Sequence, residues 1–467
     1  MVVELRSGTK FSNNNNVTVD NKKPKESSNG DDSKMTSVVF IGLLMDLLAF
    51  TLILPLFPSL LDHYKKHDGP DGLFHFLDNK VKSFGLWIGV PEGQFNSVLF
   101  GGLLGSLFSF LQFVASPMIG GLSDFFGRRP MLLISTTGVA FSYALWVNAS
   151  SFGLFVLARI IGGLSKGNVS LATAIITDVS TPKTRQKGMA LIGIAFSIGF
   201  LVGPLVGAGF AVWAKGRKNS QDWFVYPASV ALTLSALDLI YFALKFKETL
   251  PQEKRLPSLD AAIKQAVTYI NPISLFRFES LDNLKPDEKV ALQTIGRTFF
   301  IYLFLYSGLE FTLTFLTHLR FNFNSMDQGK MFLFIGTLMA IVQGGYVRRI
   351  PPGKEKTMVL RGLLLIVPSF AIVGFAQNMW QLYLGLTLYA LSTSVVVPCM
   401  TTLVSHYGNV SQKGIVMGVF RSLGALGRAL GPVAASVLYW MTGPEVCYSI
   451  GGLGLIVPYL MLKACKT

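Results

Sequence analysis

Seven ionisable side chains stand inside long apolar stretches of this chain: Asp46, Arg159, Lys166, Asp238, Glu310, Arg421 and Arg428. At the centre of a lipid bilayer a charged group costs about 2.5–3.5 kcal/mol on insertion scales, so each must face water, a partner or a substrate. A carboxylate partly withdrawn from water takes up a proton more readily, the property a proton-coupling group needs. Asp46 is the first candidate for that role, Glu310 the second and Asp238 the third; the alternative for each is a static ion pair holding helices together. Arg159 and Lys166 are seven residues apart, as are Arg421 and Arg428, a spacing that returns to nearly the same helix face. Cationic stripes in both halves of the chain suit an organic anion, although Lys166 and Arg428 serve equally as counter-ions to the carboxylates. The expected substrate site is Arg159, Lys166, Arg428, Tyr302 and Tyr306, with Phe311 adding apolar wall, since drug-sized ligands favour an apolar cavity with few polar anchors. Neither the five histidines nor Cys399, Cys447 and Cys465 fall at metal-ligand or disulfide spacings. No nucleophile, metal cluster or cofactor loop emerges, so the reading is a non-enzyme without metal or cofactor.

The elements that must position these residues are membrane helices. Of 467 residues 51% are hydrophobic and 14% charged, a composition for a chain solvated mostly by lipid. The net charge of +15 does not argue for nucleic acid, because the cations lie in short segments between apolar runs. Runs long enough to span recur near 37–60, 96–119, 131–149, 151–177, 189–214 and 224–245. Six more follow near 292–316, 329–346, 358–375, 380–405, 414–440 and 446–463.

The expected organisation is therefore an all-α membrane protein of about twelve spans in two six-helix bundles. A polar tail over 1–36, rich in Asn, Ser and Lys and without a signal-peptide core, reads as disordered and cytoplasmic. The first bundle covers 37–245, a cytoplasmic linker with one amphipathic surface helix around 261–270 covers 246–291, the second bundle covers 292–463, and 464–467 form a short tail. Lys34, Arg128, Arg129, Lys183, Arg185, Lys187, Arg348, Arg349, Lys354, Lys356 and Lys413 crowd the segments on one side. The positive-inside rule makes that side cytoplasmic, both termini included. The 61–95 loop and the basic residues after the fifth span dissent, but long loops carry little weight in that rule. Asn148 starts a glycosylation sequon in a loop too short for easy modification, and Asn16 and Asn409, on the inner side, should stay bare. The halves also echo each other. Gln186-Lys187-Gly188 recurs as Gln412-Lys413-Gly414, Gly199-Phe-Leu-Val-Gly203-Pro204 as Gly427-Arg-Ala-Leu-Gly431-Pro432, and Gly120-Gly121 as Gly344-Gly345, at nearly constant offset. That agreement is the signature of a repeat-built, pseudo-twofold transporter.

The most specific stretch is Gly120-Gly-Leu-Ser-Asp124-Phe-Phe-Gly127-Arg128-Arg129-Pro130. Its glycines permit a tight turn and close helix contact, while Asp124 and Arg128 can pair or cap neighbouring helix ends. This loop closely resembles the signature loop of the major facilitator superfamily. The resemblance implies a cytoplasmic latch of Gly120, Asp124, Gly127, Arg128 and Arg129, with Asp178 as a third charge, joining the halves in the outward-facing state. Arg159-Ile-Ile-Gly162-Gly163 resembles the fourth-span motif of that superfamily, and Gly199, Gly203, Pro204 and Gly207 resemble the fifth-span motif of its drug/proton antiporters. Those glycines, with Gly427, Gly431 and Pro432 in the second half, read as close-packing and helix-bending positions. With Asp46-Leu-Leu-Ala-Phe-Thr-Leu-Ile-Leu-Pro55, the first half is similar to the tetracycline/proton antiporters and their animal tetracycline-transporter-like relatives. The second half lacks the acid of the first loop, so an asymmetric latch is expected. The resemblance implies a secondary transporter working by alternating access, with the bilayer, protons and a small organic solute as its partners; a monomer in the plasma membrane or an organelle membrane is expected. A proton-independent uniporter and a transport-inactive receptor or scaffold on the same fold stay open.

Overall fold

The computed structural model describes residues 29–88, 95–180, 182–216, 222–279, 281, 285–351, 353–407 and 413–465. In lipid every backbone N–H and C=O must be satisfied within the chain, which an apolar run achieves as a helix. The described elements are accordingly helical, and no strand occurs among them. α1 (Asn29–Thr51) continues through a 3₁₀ turn at Leu54–Leu56 into α2 (Phe57–His67), with Pro55 in the turn where the missing N–H interrupts the ladder. Next come α3 (Leu73–Ile88), α4 (Asn96–Phe126), α5 (Arg128–Val147), α6 (Phe152–Ser165), α7 (Asn168–Val179), α8 (Pro182–Lys215) and α9 (Val225–Lys245). The linker carries α10 (Leu259–Thr268) and α11 (Pro272–Arg277). The second half holds α12 (Pro286–Phe321), α13 (Ser325–Gly345), α14 (Glu355–Phe375), α15 (Met379–Ser405), α16 (Lys413–Gly454) and α17 (Ile456–Ala464).

Helix α16 is two passes in one label. Gly443 takes φ +81° before Pro444, a backbone setting that glycine alone adopts at little cost. Along α12, Gly427 packs by Phe300 and Gly431 by Gly308, whereas Gly451 packs by Leu309 and Gly454 by Leu305. The direction has reversed, so residues after Gly443 run back beside those before it.

Four expectations are corrected. The polar tail was expected to run to residue 36, but α1 begins at Asn29. The 61–95 loop contains α3, held by Asp68, whose Oδ2 accepts from the Phe74 N–H at 2.9 Å. The linker carries two helices rather than one; Asn271 caps α11 by accepting from the Ile273 N–H at 3.0 Å ahead of Pro272. The fourth span is broken, because Lys166 leaves helical geometry at ψ 70° and α7 restarts after Gly167.

The halves meet closely at the end of the bundle away from the 120–130 loop. There a Cβ on Gly101 would strike Phe315, and one on Gly102 would strike Ser436. Ser106 Oγ accepts from the Val433 N–H at 2.7 Å, and His318 Nε2 lies 2.8 Å from Asp62 Oδ2. Gly329 and Gly336 of α13 pack on Ala208 and Leu201 of α8. At the loop end contact is sparser: Arg421 Nη1 donates to Thr173 Oγ1 at 2.6 Å, while Gly344 and Gly345 meet nothing within 4 Å.

Candidate functional site

The break in the fourth span turns Lys166 toward α1. Its Nζ lies 2.6 Å from Asp46 Oδ1, both side chains are 3% exposed, and the ammonium sits 4.9 Å over the Phe50 ring. The sequence left the partner of Asp46 open between Lys166 and Arg428; in this structure it is Lys166. That pairing and its near-complete burial commit the Lys166 ammonium to Asp46 rather than to an open ligand cavity in this structure. It also separates Lys166 from Arg159, because the stripe argument assumed one unbroken helix. Asp238 on α9 is buried nearby, with the Asp46 and Lys166 charges acting on it.

Arg159 instead stacks between aromatic rings. Its guanidinium carbon is 4.0 Å from the Phe108 centroid and 5.8 Å from that of Phe57, and its buried Nε has no hydrogen-bond partner. Phe57 meets Phe311 of the second half edge-on at 5.8 Å, so Arg159 lies one ring away from the interface between halves. On the other side Glu310 Oε1 accepts from the hydroxyls of Tyr306 at 2.9 Å and Tyr389 at 2.8 Å. Tyr302, Tyr306 and Tyr389 form a stack with centroids 5.4 and 5.5 Å apart. Tyr302 is fully buried and Tyr306 nearly so, which puts them behind Glu310 rather than on an open wall. Arg428 is exposed, and its charge reaches Glu310. One turn pair along the same unbroken helix, Arg421 is exposed as well. Tyr389, Phe50, Phe57 and Phe108 escaped the sequence reading; an aromatic residue in an apolar run carries no signal that separates it from packing.

The 120–130 residues gather at one end. Arg128 is 5% exposed, with Nη1 2.6 Å from Asp124 Oδ1 and Nε 2.8 Å from Asp178 Oδ2. Gly127 holds φ +103° between α4 and α5, and Gly120 approaches Ser170. Sequence reasoning missed Glu248, which caps α5 by accepting from the Arg128 N–H at 2.9 Å and the Arg129 N–H at 3.1 Å. An acid at a helix N-terminus is favoured by the helix dipole, but this one arrives from 120 residues away. Arg129 turns outward to donate to the Phe246 and Ala243 carbonyls at 3.0 and 2.9 Å. Burial alone would push the Glu248 carboxyl up, yet backbone N–H donors from Leu250, Arg129, Arg128 and Thr249 outweigh it and hold it below the usual carboxylate range. A depressed acid contributes stability that is complete above its unfolded-state pKa and lost as pH falls through the folded one. Glu248→Gln is accordingly expected to flatten the acid limb of a thermal-stability curve against pH, between neutrality and the acid range. An unchanged acid limb would refute this capping role.

The bending motifs serve contacts inside each half. A Cβ on Gly199, Gly203 or Gly207 would strike Leu47, Thr51 or Leu52 of the first span, and one on Gly427 or Gly431 would strike Phe300 or Phe304 of α12. At Gly207 and Gly431 the obstacle is a backbone carbonyl, which cannot move aside. Pro204 lies within continuous α8, and the carbonyl of Pro432 faces Gly102 across the halves.

Twelve apolar passes among the described residues, with Ile415–Ala464 making two, one on either side of Gly443, together with this loop and these intramembrane charges define a transporter class, and the Major Facilitator Superfamily pattern matches residues 39–432. The chain belongs to that superfamily, whose members here are membrane transporters rather than enzymes. It is 46% identical over 440 residues, 93% of each chain, to mouse major facilitator superfamily domain-containing protein 10. It is 25% identical to the class B tetracycline resistance protein of Escherichia coli, covering 86% of this chain and 88% of that one. The crystal structure of the human organic anion transporter MFSD10 (TETRAN) superposes with TM-score 0.76 at 45% identity, over 92% of this chain and 99% of that one.

Proposed function

We propose that the protein moves a small organic anion across its membrane by alternating access, coupled to protons. The observation that carries this reading is the placement of Arg428, exposed beside Glu310 in the second half, opposite Arg159 behind the Phe57–Phe311 contact. A desolvated carboxylate's demand on that arginine competes with an incoming anion, so protonating Glu310 frees Arg428 for substrate, and a bound anion in turn favours the protonated acid, which carries both in the same direction. The human relative being an organic anion transporter and the tetracycline-resistance relatives support the same reading. Asp46, released from Lys166, is the matching group in the first half. The protein works as a monomer, with both termini and the 246–291 linker cytoplasmic. The 120–130 loop then lies inside, and the tight far-end contacts close the outside. In this state Arg128 bonds Asp124 and Asp178 within its own half. Asp124→Asn and Arg128→Ala are expected to slow transport at least about fivefold, through the balance of inward and outward states, while expression changes less. Normal transport by both variants would remove the latch role.

The deciding experiment is uptake of labelled organic anions into proteoliposomes with and without an imposed pH gradient. Accumulation that follows the gradient supports coupling. Exchange without accumulation points to a uniporter, and binding without any flux to a receptor or scaffold.

A further inference from the structure

Between α1, α5, α7 and α9 lies a small cavity of about 10 Å³ lined by Asp46, Asn168 and Asp238 among apolar residues such as Leu43, Leu132 and Ile175. That is room for about one water. Four polar atoms of the lining residues are buried without a hydrogen-bond partner: Asp46 Oδ2, both carboxyl oxygens of Asp238, and Asn168 Nδ2. Asp46, Asn168 and Asp238 are each at most 3% exposed. The Ser135 hydroxyl, which owns one proton, lies 2.6 Å from both the Ser165 carbonyl and Asn168 Oδ1. It can donate to only one of them. Turning the Asn168 amide over lets Nδ2 donate to Ser135 Oγ and presents Oδ1 to the cavity, an assignment the hydrogen-bond network decides.

Every polar atom then facing the cavity is an acceptor, and the cavity lacks donors. Its charges are also unbalanced. Two carboxylates stand against one ammonium, Lys166, leaving one negative charge in an apolar surrounding where an uncompensated charge is costly. A single monovalent cation repairs both deficits.

We propose that this cavity is a proton-holding site, in which one water bridges Asp46 and Asp238 and the Asp238 carboxyl carries the proton while Asp46 is held by Lys166. It rests on the proton-coupled reading above and deepens it by placing the stored proton off the substrate path. When the Asp46–Lys166 pair opens, the Asp238 O–H bond breaks and its proton passes to the water. The water gives one of its own to Asp46 Oδ2, and Lys166 turns to the Asp238 carboxylate. Atoms and charge balance without any other reactant. The charges acting on Asp238 are Asp46 of α1 and Lys166 at the α6–α7 break, and Tyr241 on its own helix feels it in turn. Helix α5 contributes Leu132 and α7 contributes Asn168, Ala172 and Ile175 to the lining, none of them titratable.

Infrared spectroscopy of purified full-length protein in lipid at neutral pH tests this without transport. A protonated-carboxyl C=O band that shifts in D₂O is expected in the wild type, absent in Asp238→Asn and retained in Glu310→Gln. Should Asp238→Asn not fold, Asp238→Glu replaces it, and the band must move to a new position. A band that survives Asp238→Asn, or stays put in Asp238→Glu, overturns the proposal. So does a band that fades in saturable fashion as sodium replaces choline at constant pH, which would make sodium the occupant. If the band behaves as expected yet proteoliposomes show no pH-driven accumulation, the site stands and the coupling reading falls.

Discussion

Lys166→Met is expected to destabilise the protein by about 3–5 kcal/mol, the usual consequence of leaving one member of a buried pair unpaired. The Asp46–Lys166 contact is 2.6 Å long between side chains that are almost wholly buried, so Asp46 would be left without its cation. Asp46→Asn is expected to cost less, because Asp238, on which the Lys166 charge already acts, can take over the lysine. The double variant Asp46→Asn/Lys166→Met removes both charges and should recover most of the loss. Thermal unfolding of the three variants in one detergent measures the ordering. If the double variant is as unstable as Lys166→Met, the pair is not what the lysine contributes.

Arg428→Gln is expected to weaken binding of an organic anion about ten- to a hundredfold, the worth of one hydrogen bond to a charged group at about 1.5–3 kcal/mol. Arg428 is accessible yet enclosed by protein, with Glu310 and Tyr306 acting on its charge, and it makes no ion pair within 4 Å among the described residues, so its loss should disturb folding less than loss of Lys166. Calorimetric titration with an anion and with its uncharged amide separates the cases. Equal loss for both ligands would mean that Arg428 shapes the cavity rather than attracting charge.

The residues that were legible in the sequence are those whose type conflicts with their surroundings. Asp46, Asp238 and Glu310 stand out in apolar runs because lipid tolerates them only with a purpose, and the Gly120 to Pro130 spacing announces its loop. The partners were less legible. Lys166 was read onto one face with Arg159 because helical periodicity presumes an unbroken helix, yet Gly167 beside it marks the place where the ladder fails. Tyr302 and Tyr306 were read as walls, but a side chain's depth behind Glu310 is set by α15, which supplies Tyr389. Glu248 was out of reach for the same reason: its contact with α5 depends on how α9 leaves the bundle. The second linker helix was readable, since Asn271-Pro272 is an ordinary helix start.

The linker belongs to both halves. On one side the α10 residues Ala262 and Ala266 press on Gly121 of α4, and on the other Phe278 packs against Gly296 of α12, beside which Leu423 of α16 also lies. Tyr269, between these anchors, touches Gly418. The slack between the anchors is therefore residues 267–277, which spans about 36–40 Å when drawn straight and far less while coiled. A tether that short acts as a mechanical stop. In the alternating-access cycle proposed above it would bound the stroke of the two bundles at this end, and the farthest they could swing apart would be set by how much of α11 unwinds.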